Sequence, residues 1–377
     1  MTFAPMLQGI QKYVPLVGDI NTKKPAAYKA TRGAVAVVNA AQIAVAEAYI
    51  HGLEIPDSAL RLLFNTFMPA LFRYFPALLA PYEWVLEETN HLAEGSQELM
   101  KIQYELPQKL FSLMLGDSQL IYPKYTMALW EKGAKTLEQA QEDMLANLVE
   151  KLDIQDGDEI LELGSGWGCA ANYILSKFPN VRFTGLSLSH EQCEYVRRKM
   201  QDPISYLSRG QFTLHEMDFN DARFEAKFDK IISMGFFCHV GNLTKSFQRL
   251  ASFLKPDGKV FTHIITVRTP NNVSSVFTHK YIFPHGRYWN YDAIPSHNKD
   301  LKTVQRWYIN GQNYFKTLNS WLQNFDDYQA ELKALNYRMD YAQFRRIWRF
   351  YLLWLGTNFG CCDGEVNGNG QYLMVRA

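Results

Sequence analysis

The sequence of 377 residues has little cysteine, almost no net charge and no long uninterrupted apolar run. Its five cysteines form no C-x-x-C pair and have no histidine spacing typical of zinc, so we expect reduced thiols, a cytoplasmic location and no metal site. The 39 Lys and Arg residues nearly balance the 38 Asp and Glu residues, and the net charge of +1 excludes the basic field typical of nucleic-acid-binding proteins.

No stretch offers the roughly 20 uninterrupted apolar residues that cross a bilayer. Residues 33–50 contain Asn39, Gln42 and Glu47, and residues 64–85 are interrupted by three prolines and an arginine. We expect amphipathic helices packed on a larger domain, with peripheral lipid contact as the alternative. The sequence also begins without the basic region, apolar stretch and cleavage site of a signal peptide, which argues against export.

The spacing of apolar residues divides the chain into two regions. From Ala26 to about Lys151 these residues recur three and four positions apart, which predicts helices. Short apolar strands then alternate with helical stretches, and the predicted strands are 159–163, 181–186, 210–217, 230–234 and 258–264. This alternation predicts an α/β fold with a mostly parallel, doubly wound sheet and helices on both faces. We therefore place a helical region at 1–140 and a Rossmann-like domain at 141–377.

The stretch from Pro270 to about Asp327 is rich in aromatic residues and irregular in pattern. We expect an insertion at about 268–330 that covers the ligand site. Its aromatic side chains fit either a box for a cation or flat ring, or the core of a lid that excludes water. A last hairpin near Tyr372–Val375 is expected to close the sheet.

The first predicted strand runs into a glycine-rich loop, Glu162-Leu-Gly-Ser-Gly-Trp-Gly168. Its glycines permit a sharp turn and a close approach of the backbone to a ligand. The G-x-G-x-G pattern lacks the final spacing of the dinucleotide fingerprint and favours the turn found in methyltransferases. The Glu162 carboxylate is placed to reach the ammonium of a cofactor or to order the loop. The alternative is a purely structural glycine turn.

Polar residues follow the next two strands as well. Ser187 ends the second strand with Gln192 on the helix behind it, and Asp218 and Phe219 follow the third. Since the carboxyl ends of parallel strands meet at one edge of a sheet, these residues predict a nucleoside site. Asp218 would accept from an exocyclic amine, and Phe219 would stack on the base. An ordinary polar turn at 218–221 is the alternative.

These motifs resemble the cyclopropane fatty acid synthase-like methyltransferases, which include mycolic acid methyltransferases and plant coclaurine N-methyltransferases. The resemblance covers about 104–377 and rests on Tyr104-Glu-Leu-Pro107, Tyr125-Thr-Met-Ala-Leu-Trp130, the glycine-rich loop, Gly185–Gln192, Tyr281-Ile-Phe-Pro284 and Trp307–Trp321. It implies an S-adenosylmethionine cofactor that is contacted by Tyr125, Thr126, Gly164, Gly166, Ser187, Gln192, Asp218 and Phe219. From the glycine-rich loop itself we expect Glu162, Ser165 and Gly168 to contribute as well. The resemblance implies nothing for the first hundred residues, which fall outside most of it.

The sequence departs from this family at the positions that implement its chemistry. By the resemblance, the lipid-cyclopropanating members hold a bicarbonate base at positions that are Met127, Cys238, His263, Ile265 and Tyr314 here. Met127 stands where they have a cysteine and Cys238 where they have a glutamate, so we expect no bicarbonate. Ring closure needs a base at the reacting carbon, and this site is poorly equipped for it.

The plant amine N-methyltransferases carry E-x-F-E-H in the same segment, which here reads Gly235-Phe-Phe-Cys-His239. Only the histidine is kept. We expect His239, with a pKa near 6.5, to orient or deprotonate the acceptor, with a structural helix-start histidine as the alternative. Cys238 is expected to supply volume, while Tyr314 and His263 form hydrogen-bonding walls.

The leading prediction is N-methylation of a small-molecule amine. The alternatives are C-methylation or cyclopropanation of an unsaturated lipid, and a cofactor-binding protein without catalysis. The oligomeric state is open, a homodimer included.

Overall fold

The computed structural model describes residues 40–74, 91–93, 95–268 and 275–377. The helical prediction for residues 26–39 and 75–90 therefore lies outside the described residues, and so do residues 269–274 of the predicted insertion. Among the described residues, no helix combines the length and the apolar content needed to cross a bilayer.

A single eight-stranded sheet forms the centre of the described structure. Its strands are β1 Glu159–Leu163, β2 Arg182–Ser187, β3 Phe212–Glu216, β4 Phe228–Met234, β5 Leu254–Val267, β6 Trp289–Asn290, β7 Leu301–Ile309 and β8 Asn367–Arg376. They are ordered β3-β2-β1-β4-β5-β8-β7, with β6 paired to β5 beside this path. β8 runs antiparallel to both of its neighbours, whereas the pairs among β1 to β6 are parallel. The predicted α/β sheet is confirmed.

Helices cover the sheet and pack on one another beside it. Those of eight or more residues are α1 Asp57–Tyr74, α2 Gln108–Leu115, α3 Leu137–Leu152, α4 Cys169–Lys177, α5 His190–Gln201, α6 Leu243–Phe253, α7 Gln312–Asp327 and α8 Tyr341–Gly360. Residues 40–50 are also helical. Shorter helical segments are Ser96–Leu99, Met100–Tyr104, Tyr206–Arg209, Phe237–His239, Val276–Tyr281, Ala293–Ser296, Gln329–Lys333 and Cys361–Gly364.

Helix starts follow from the local sequence. Thr136, Ser189, Asn242 and Asp340 precede α3, α5, α6 and α8, and each side chain accepts a hydrogen bond from a backbone N–H of the first turn. Short polar side chains at this position satisfy amides that have no partner within the helix. The βαβ units are therefore specified locally, which is why the prediction located them.

Two predictions about the second half of the chain are wrong. The stretch 270–327 is not an irregular insertion throughout, because it contains the nine-residue strand β7 and the sixteen-residue helix α7. Tyr372–Val375 is not part of a hairpin, since β8 pairs with β5 and β7 on its two sides. The helical prediction for 26–151 is also too broad, because residues 116–136 contain no helix.

Helix α7 holds the non-helical segment 116–136 beside the sheet. The Asn313 side-chain oxygen accepts from the Trp130 backbone N–H at 2.7 Å, and the Thr317 hydroxyl accepts from the Ala128 backbone N–H at 3.1 Å. The Trp130 indole N–H also donates to Thr317 at 3.0 Å. These bonds satisfy buried amides of a segment that has no ladder or helix of its own. They place the preceding residues, 124–127, against the end of the sheet.

Candidate cofactor and acceptor site

A cavity lies at the carboxyl edge of the sheet, where β1, β2 and β4 end. This is the edge at which doubly wound sheets bind ligands. The cavity has an empty volume of about 1090 Å³ including its open mouth. Its walls include Tyr125, Thr126, Glu162, Gly164, Ser165, Gly166, Ser187, Gln192, Asp218, Phe219 and His239.

The glycine-rich loop forms one wall of the cavity. The backbone N–H groups of Gly164 and Ser165 both donate to the Leu186 carbonyl, which turns the chain sharply at the end of β1. Gly166 has a φ of 54°, and a Cβ added there would meet only the Gly164 carbonyl oxygen at 3.9 Å. The space next to Gly166 is therefore cavity space, which a ligand can enter only while no side chain occupies it.

Glu162 presents a carboxyl group to the cavity from the end of β1. The side chain is 3% exposed, and its Oε2 atom has no hydrogen-bond partner within the protein. Burial raises the pKa of Glu162 to about 8. An unpaired buried carboxyl group is costly, and a cationic ligand group would remove that cost. The position therefore fits the ammonium of S-adenosylmethionine.

The neighbouring strand ends supply oriented polar groups. The Ser187 hydroxyl and the Gln192 side chain are hydrogen-bonded at 3.1 Å. One carboxylate oxygen of Asp218 accepts from both the backbone and the side chain of Asn220, each at 2.8 Å. Phe219 is buried and contacts Phe236 edge to face, with ring centroids 5.4 Å apart. These groups suit the ribose and base of a nucleoside.

The segment 124–127 closes the cavity opposite the glycine-rich loop. The Lys124 amine is buried and donates to the Thr126 hydroxyl and the Met127 carbonyl, each at 2.6 Å. Burial lowers the pKa of Lys124 to about 7. Tyr125 accepts from Gln103 at 2.5 Å and donates to the Tyr351 hydroxyl at 3.1 Å. Side chains from distant parts of the chain thus orient Tyr125 and Thr126.

His239 belongs to a group of five rings, which we call the aromatic cluster: Tyr104, Tyr125, His239, Phe283 and Tyr351. His239 Nε2 lies 3.2 Å from the Tyr104 hydroxyl, and its ring centroid lies 5.8 Å from that of Phe283. Phe283 lies 6.3 Å from Tyr125 and 6.1 Å from Tyr351. Of the cluster, Tyr104, Tyr125 and His239 line the cavity, with the other two rings packed behind them.

The expected pKa of His239 is wrong. Instead of a value near 6.5, burial lowers the pKa of His239 to about 4. The uncharged imidazole is therefore its state at neutral pH. Its Nδ1 atom is buried without a partner within the protein. His239 can accept one hydrogen bond from a bound methyl-acceptor molecule, or donate one to it. The imidazole is nevertheless a weak base.

The structure does not bring the remaining predicted residues to the cavity wall. The space at the Gly168 Cβ position faces Leu207 and Val196. The two ring nitrogens of His263 lie 2.7 Å from the Asn369 amide and 3.1 Å from the Gln371 amide on β8.

Cys238 and Tyr314 are also outside the lining. The Cys238 thiol donates to the Gly235 carbonyl at 3.1 Å, and burial raises its pKa to about 12. The Tyr314 ring packs on Phe359 with centroids 4.4 Å apart, and burial raises its pKa well above 10. The predicted cofactor contact of Gly168 therefore has no cavity contact to support it, and neither do the predicted roles of His263, Cys238 and Tyr314 at the acceptor.

Several cavity residues had not been assigned a role from the sequence. Lys124, Trp167 and Phe236 line the cavity directly. Lys124 gave a usable signal, since a lysine next to two motif residues in an apolar segment has no acidic neighbour in the sequence. Tyr351 gave none, because its contact with Tyr125 spans 226 residues.

The family model for mycolic acid cyclopropane synthetase matches residues 92–365 of the chain. The chain therefore belongs to this family, and the fold and site define its class as that of the S-adenosylmethionine-dependent methyltransferases. The predicted family and cofactor are confirmed. Nothing in this result separates the acceptors that members of the class methylate.

Relatives of both predicted kinds are similar to the chain. The cyclopropane-fatty-acyl-phospholipid synthase of Escherichia coli (strain K12) is 32% identical over 255 residues, which is 67% of this chain and 62% of that protein. The (S)-coclaurine N-methyltransferase of Papaver somniferum is 25% identical over 70% of this chain and 76% of that protein. The chain thus spans less than two thirds of the bacterial relative.

A solved structure shares the fold over most of the chain. The crystal structure of coclaurine N-methyltransferase bound to N-methylheliamine and S-adenosylhomocysteine superposes with a TM-score of 0.75, at 20% identity. The match covers 89% of this chain and all of that one. It shows a common architecture that extends beyond the sheet into the helices beside it.

Proposed function

We propose that this chain transfers the methyl group of S-adenosylmethionine to the nitrogen of a small amine. The observation that carries the proposal is the uncharged surroundings of His239. Tyr104 and Tyr125 have pKa values raised well above 10 by burial, and His239 is neutral. Among the described residues, the hydrogen bonds of the Tyr104, Tyr125 and His239 side chains join them to uncharged groups.

An amine is a nucleophile only as the free base. Transfer of an ammonium into buried surroundings lowers its pKa when no carboxylate contacts it. The aromatic cluster contains no carboxylate, so it favours the reactive free base. Aromatic faces also stabilise the methylated ammonium product through cation–π contacts, worth about 0.5–2 kcal/mol each. The same surroundings therefore suit both the attacking amine and the cation that it becomes.

The cofactor, when bound, would supply a methyl group on a sulfonium, whose carbon accepts an in-line nucleophile while the thioether sulfur leaves. The residues of the chain act on binding and alignment. Glu162 offers its carboxyl group to the cofactor's ammonium, and Asp218 offers an acceptor oxygen. His239, held by Tyr104, offers one hydrogen bond that orients the acceptor nitrogen. Positioning of two reactants at near-attack distance is the main source of rate in such a reaction.

Methylation of an unsaturated lipid is the second candidate, and the similarity to the bacterial lipid enzyme favours it. Addition of a methyl group to an alkene creates a carbocation, and ring closure then requires removal of a proton. The thiol of Cys238 is no substitute for a carboxylate base, because its pKa is raised to about 12 and it donates to a carbonyl. His263 is engaged by β8.

A labelled-donor assay tests the proposal. Purified protein and methyl-labelled S-adenosylmethionine are incubated with secondary arylalkylamines or with phosphatidylethanolamine vesicles that contain unsaturated acyl chains. We expect label in the tertiary amine and none in the lipid. Cyclopropane or branched acyl chains in the lipid fraction, without labelled amine, would replace the amine proposal by the lipid one. Label in neither fraction, with tight cofactor binding, would favour a binding protein.

The role of His239 has its own test. We expect His239→Ala to lower turnover of the amine by about 100-fold while cofactor affinity changes little, as is typical of a positioned group that acts on the acceptor. His51→Gln, at an exposed histidine outside the cavity, is the control. Since the pKa of His239 is about 4, any inflection of the rate between pH 6 and 8 should persist unchanged in His239→Ala. Full turnover in His239→Ala would make it a structural residue.

A further inference from the structure

Two adjacent cysteines lie at the turn between α8 and β8, away from the cavity. The Sγ atoms of Cys361 and Cys362 are 3.3 Å apart, as free thiols. Cys361 is 3% exposed, whereas Cys362 is half-buried. The pair therefore joins the thiol of a buried residue to that of a partly exposed one.

The backbone of this turn is unusual. Cys362, Asp363 and Gly364 have φ angles of 51°, 56° and 75°, which places three consecutive residues in the left-handed region. Non-glycine residues in that region cost of order 1–3 kcal/mol each and persist only where the surroundings hold them. Neither cysteine nor aspartate at these positions relieves the strain, so the contacts around the turn must maintain it.

The corner between β7 and α7 holds the turn. The Asn310 side-chain amide donates to the Asp363 carbonyl at 3.0 Å, and the Gly311 backbone N–H donates to the Gly364 carbonyl at 3.0 Å. Tyr308 donates to the same Gly364 carbonyl at 2.7 Å. A Cβ at Gly311 would lie 2.0 Å from the Asn367 carbonyl oxygen and 2.3 Å from that of Phe359. The turn and this corner are thus packed backbone against backbone.

We propose that Cys361 and Cys362 form a vicinal dithiol that peroxides oxidise to an intrachain disulfide. The Cys362 thiolate attacks a peroxide oxygen, the O–O bond breaks, and Cys362 sulfenic acid and water form. The Cys361 sulfur then attacks the Cys362 sulfur, the S–S bond forms, and hydroxide leaves as water with the Cys361 proton. Two electrons pass from the two thiols to one peroxide.

The other described cysteines are unsuited to this chemistry. Cys169 and Cys193 are buried, and burial raises the pKa of each to about 12. Cys238 is engaged by a carbonyl. In the pair, burial and the neighbouring sulfur raise the pKa of Cys361, which favours first attack by the more exposed Cys362. The order of the two steps follows from this difference in exposure.

Oxidation also strains the cofactor site through α7. The sulfur atoms must move from 3.3 Å to the roughly 2.05 Å of a disulfide, in a turn that has little freedom. The Asn310–Gly311 corner begins α7, and Asn313 on that helix holds the segment that continues from Tyr125 and Thr126. We therefore expect the oxidised protein to bind S-adenosylhomocysteine more weakly than the reduced protein.

Mass spectrometry and calorimetry test both parts. Limited hydrogen peroxide should remove two hydrogen atoms from the intact mass, and peptide mapping should place the new bond between Cys361 and Cys362, reversibly with dithiothreitol. Cys361→Ser should stop at a Cys362 sulfenic acid that dimedone traps, while Cys193→Ser should behave as wild type. Phenylarsine oxide, which binds paired thiols, should protect Cys361 and Cys362 of the wild-type protein from oxidation by hydrogen peroxide. If Cys362 is oxidised but no bond to Cys361 forms, the proposed disulfide is wrong.

The affinity for S-adenosylhomocysteine should fall by about tenfold on oxidation and recover on reduction, a change of about 1.4 kcal/mol. Asn310→Ala removes one of the three hydrogen bonds between this corner and the turn without touching either sulfur or the cavity. In that variant the disulfide bond should still form, and the difference between the oxidised and reduced affinities should become smaller. Equal affinities of oxidised and reduced wild-type protein would overturn the link to α7.

Discussion

Among the cavity residues, we expect the protonation state of Glu162 to change most on cofactor binding, because its carboxyl group is buried without a partner. Because the pKa of Glu162 is about 8, the side chain is mostly protonated at pH 7 in the free protein. A bound ammonium stabilises the carboxylate, so cofactor binding at pH 7 should release a proton. Calorimetry in buffers of different ionisation enthalpy measures this release directly.

Two variants test whether the released proton comes from Glu162. Glu162→Gln should abolish the proton release and weaken cofactor binding by at least about tenfold, as expected when a charge-assisted contact is lost. Glu159→Gln, at the half-buried start of the same strand, should leave the release unchanged. Proton release that persists in Glu162→Gln would assign it to another group.

The glycine-rich loop offers a second test at this scale. Gly166→Val should eliminate measurable cofactor binding, because its side chain would project into the cavity beside the Gly164 carbonyl. Gly157→Val is the matched control, since Gly157 also has a positive φ and open space at its Cβ position but lies outside the cavity lining. If both variants lose binding equally, backbone strain and not cavity occupancy explains the loss.

The cavity residues at the strand ends were predictable from the sequence because they lie on short, locally specified strand–loop–helix units. Asp218 and Phe219 follow β3 after one intervening residue, and Ser187 ends β2. The acceptor side was less predictable. The contact between Tyr125 and Tyr351 joins residues 226 positions apart, and nothing local in either segment indicates the other. The pKa of His239 depends on burial that only the assembled fold creates.

Helix α7 connects the segment 124–130, which borders the cavity, to the rest of the molecule. Thr317 makes the central contacts of the helix with this segment. Thr317→Val removes the acceptor for the Ala128 N–H and the Trp130 indole while keeping the side-chain shape. A buried donor without a partner costs about 1–3 kcal/mol, so we expect a loss of about 2 kcal/mol in the free energy of unfolding, measured in urea.

The matched control for this element is Thr357→Val in α8. Thr357 is equally buried, but its hydroxyl donates only within its own helix, to the Leu353 carbonyl at 2.9 Å. This change should cost less than the Thr317 change. Equal losses would mean that burial of the hydroxyl, not the contact with 128–130, determines the effect.

The strand β8 shows why some elements were missed. Its Asn367-Gly-Asn-Gly370 start has the composition of a turn. In the sheet, a Cβ at Gly368 would lie 2.5 Å from the Ile309 carbonyl oxygen, and one at Gly370 would lie 2.3 Å from the Tyr372 hydroxyl. The glycines are required by close packing inside a strand, which composition alone does not distinguish from a turn.

Stability of the whole molecule should decline in mild acid. His239 and His279 are buried with pKa values of about 4, and the pKa of His263 lies well below 6.5. The unfolded chain binds protons at these histidines near pH 6.5, whereas the folded chain does not. Stability should therefore be fully present above about pH 6.5 and fall as the pH decreases toward 4.

Glu162 contributes with the opposite sign. Its folded pKa of about 8 exceeds the ordinary 4.5, so it favours the folded state increasingly as the pH falls from 8 to 4.5. Three histidines outweigh one carboxyl group between pH 6.5 and 5. Urea unfolding at several pH values should show a steeper acid loss in Glu162→Gln and a shallower one in His279→Gln. A free energy of unfolding that is constant from pH 7.5 to 5 would contradict this account.

The position of β8 between β5 and β7 has a consequence for biosynthesis. Residues 301–309 of β7 leave the ribosome before residues 367–376 of β8. In the strand order, β7 joins the sheet only by pairing with β8. Until β8 is made, β5 exposes an unpaired edge and β7 has no neighbour. Such edges pair with other chains when they stay open, and strands far apart in sequence assemble slowly. The nascent chain therefore passes through an interval of high aggregation risk, during which a chaperone that shields the edge of β5 would raise the yield of folded protein.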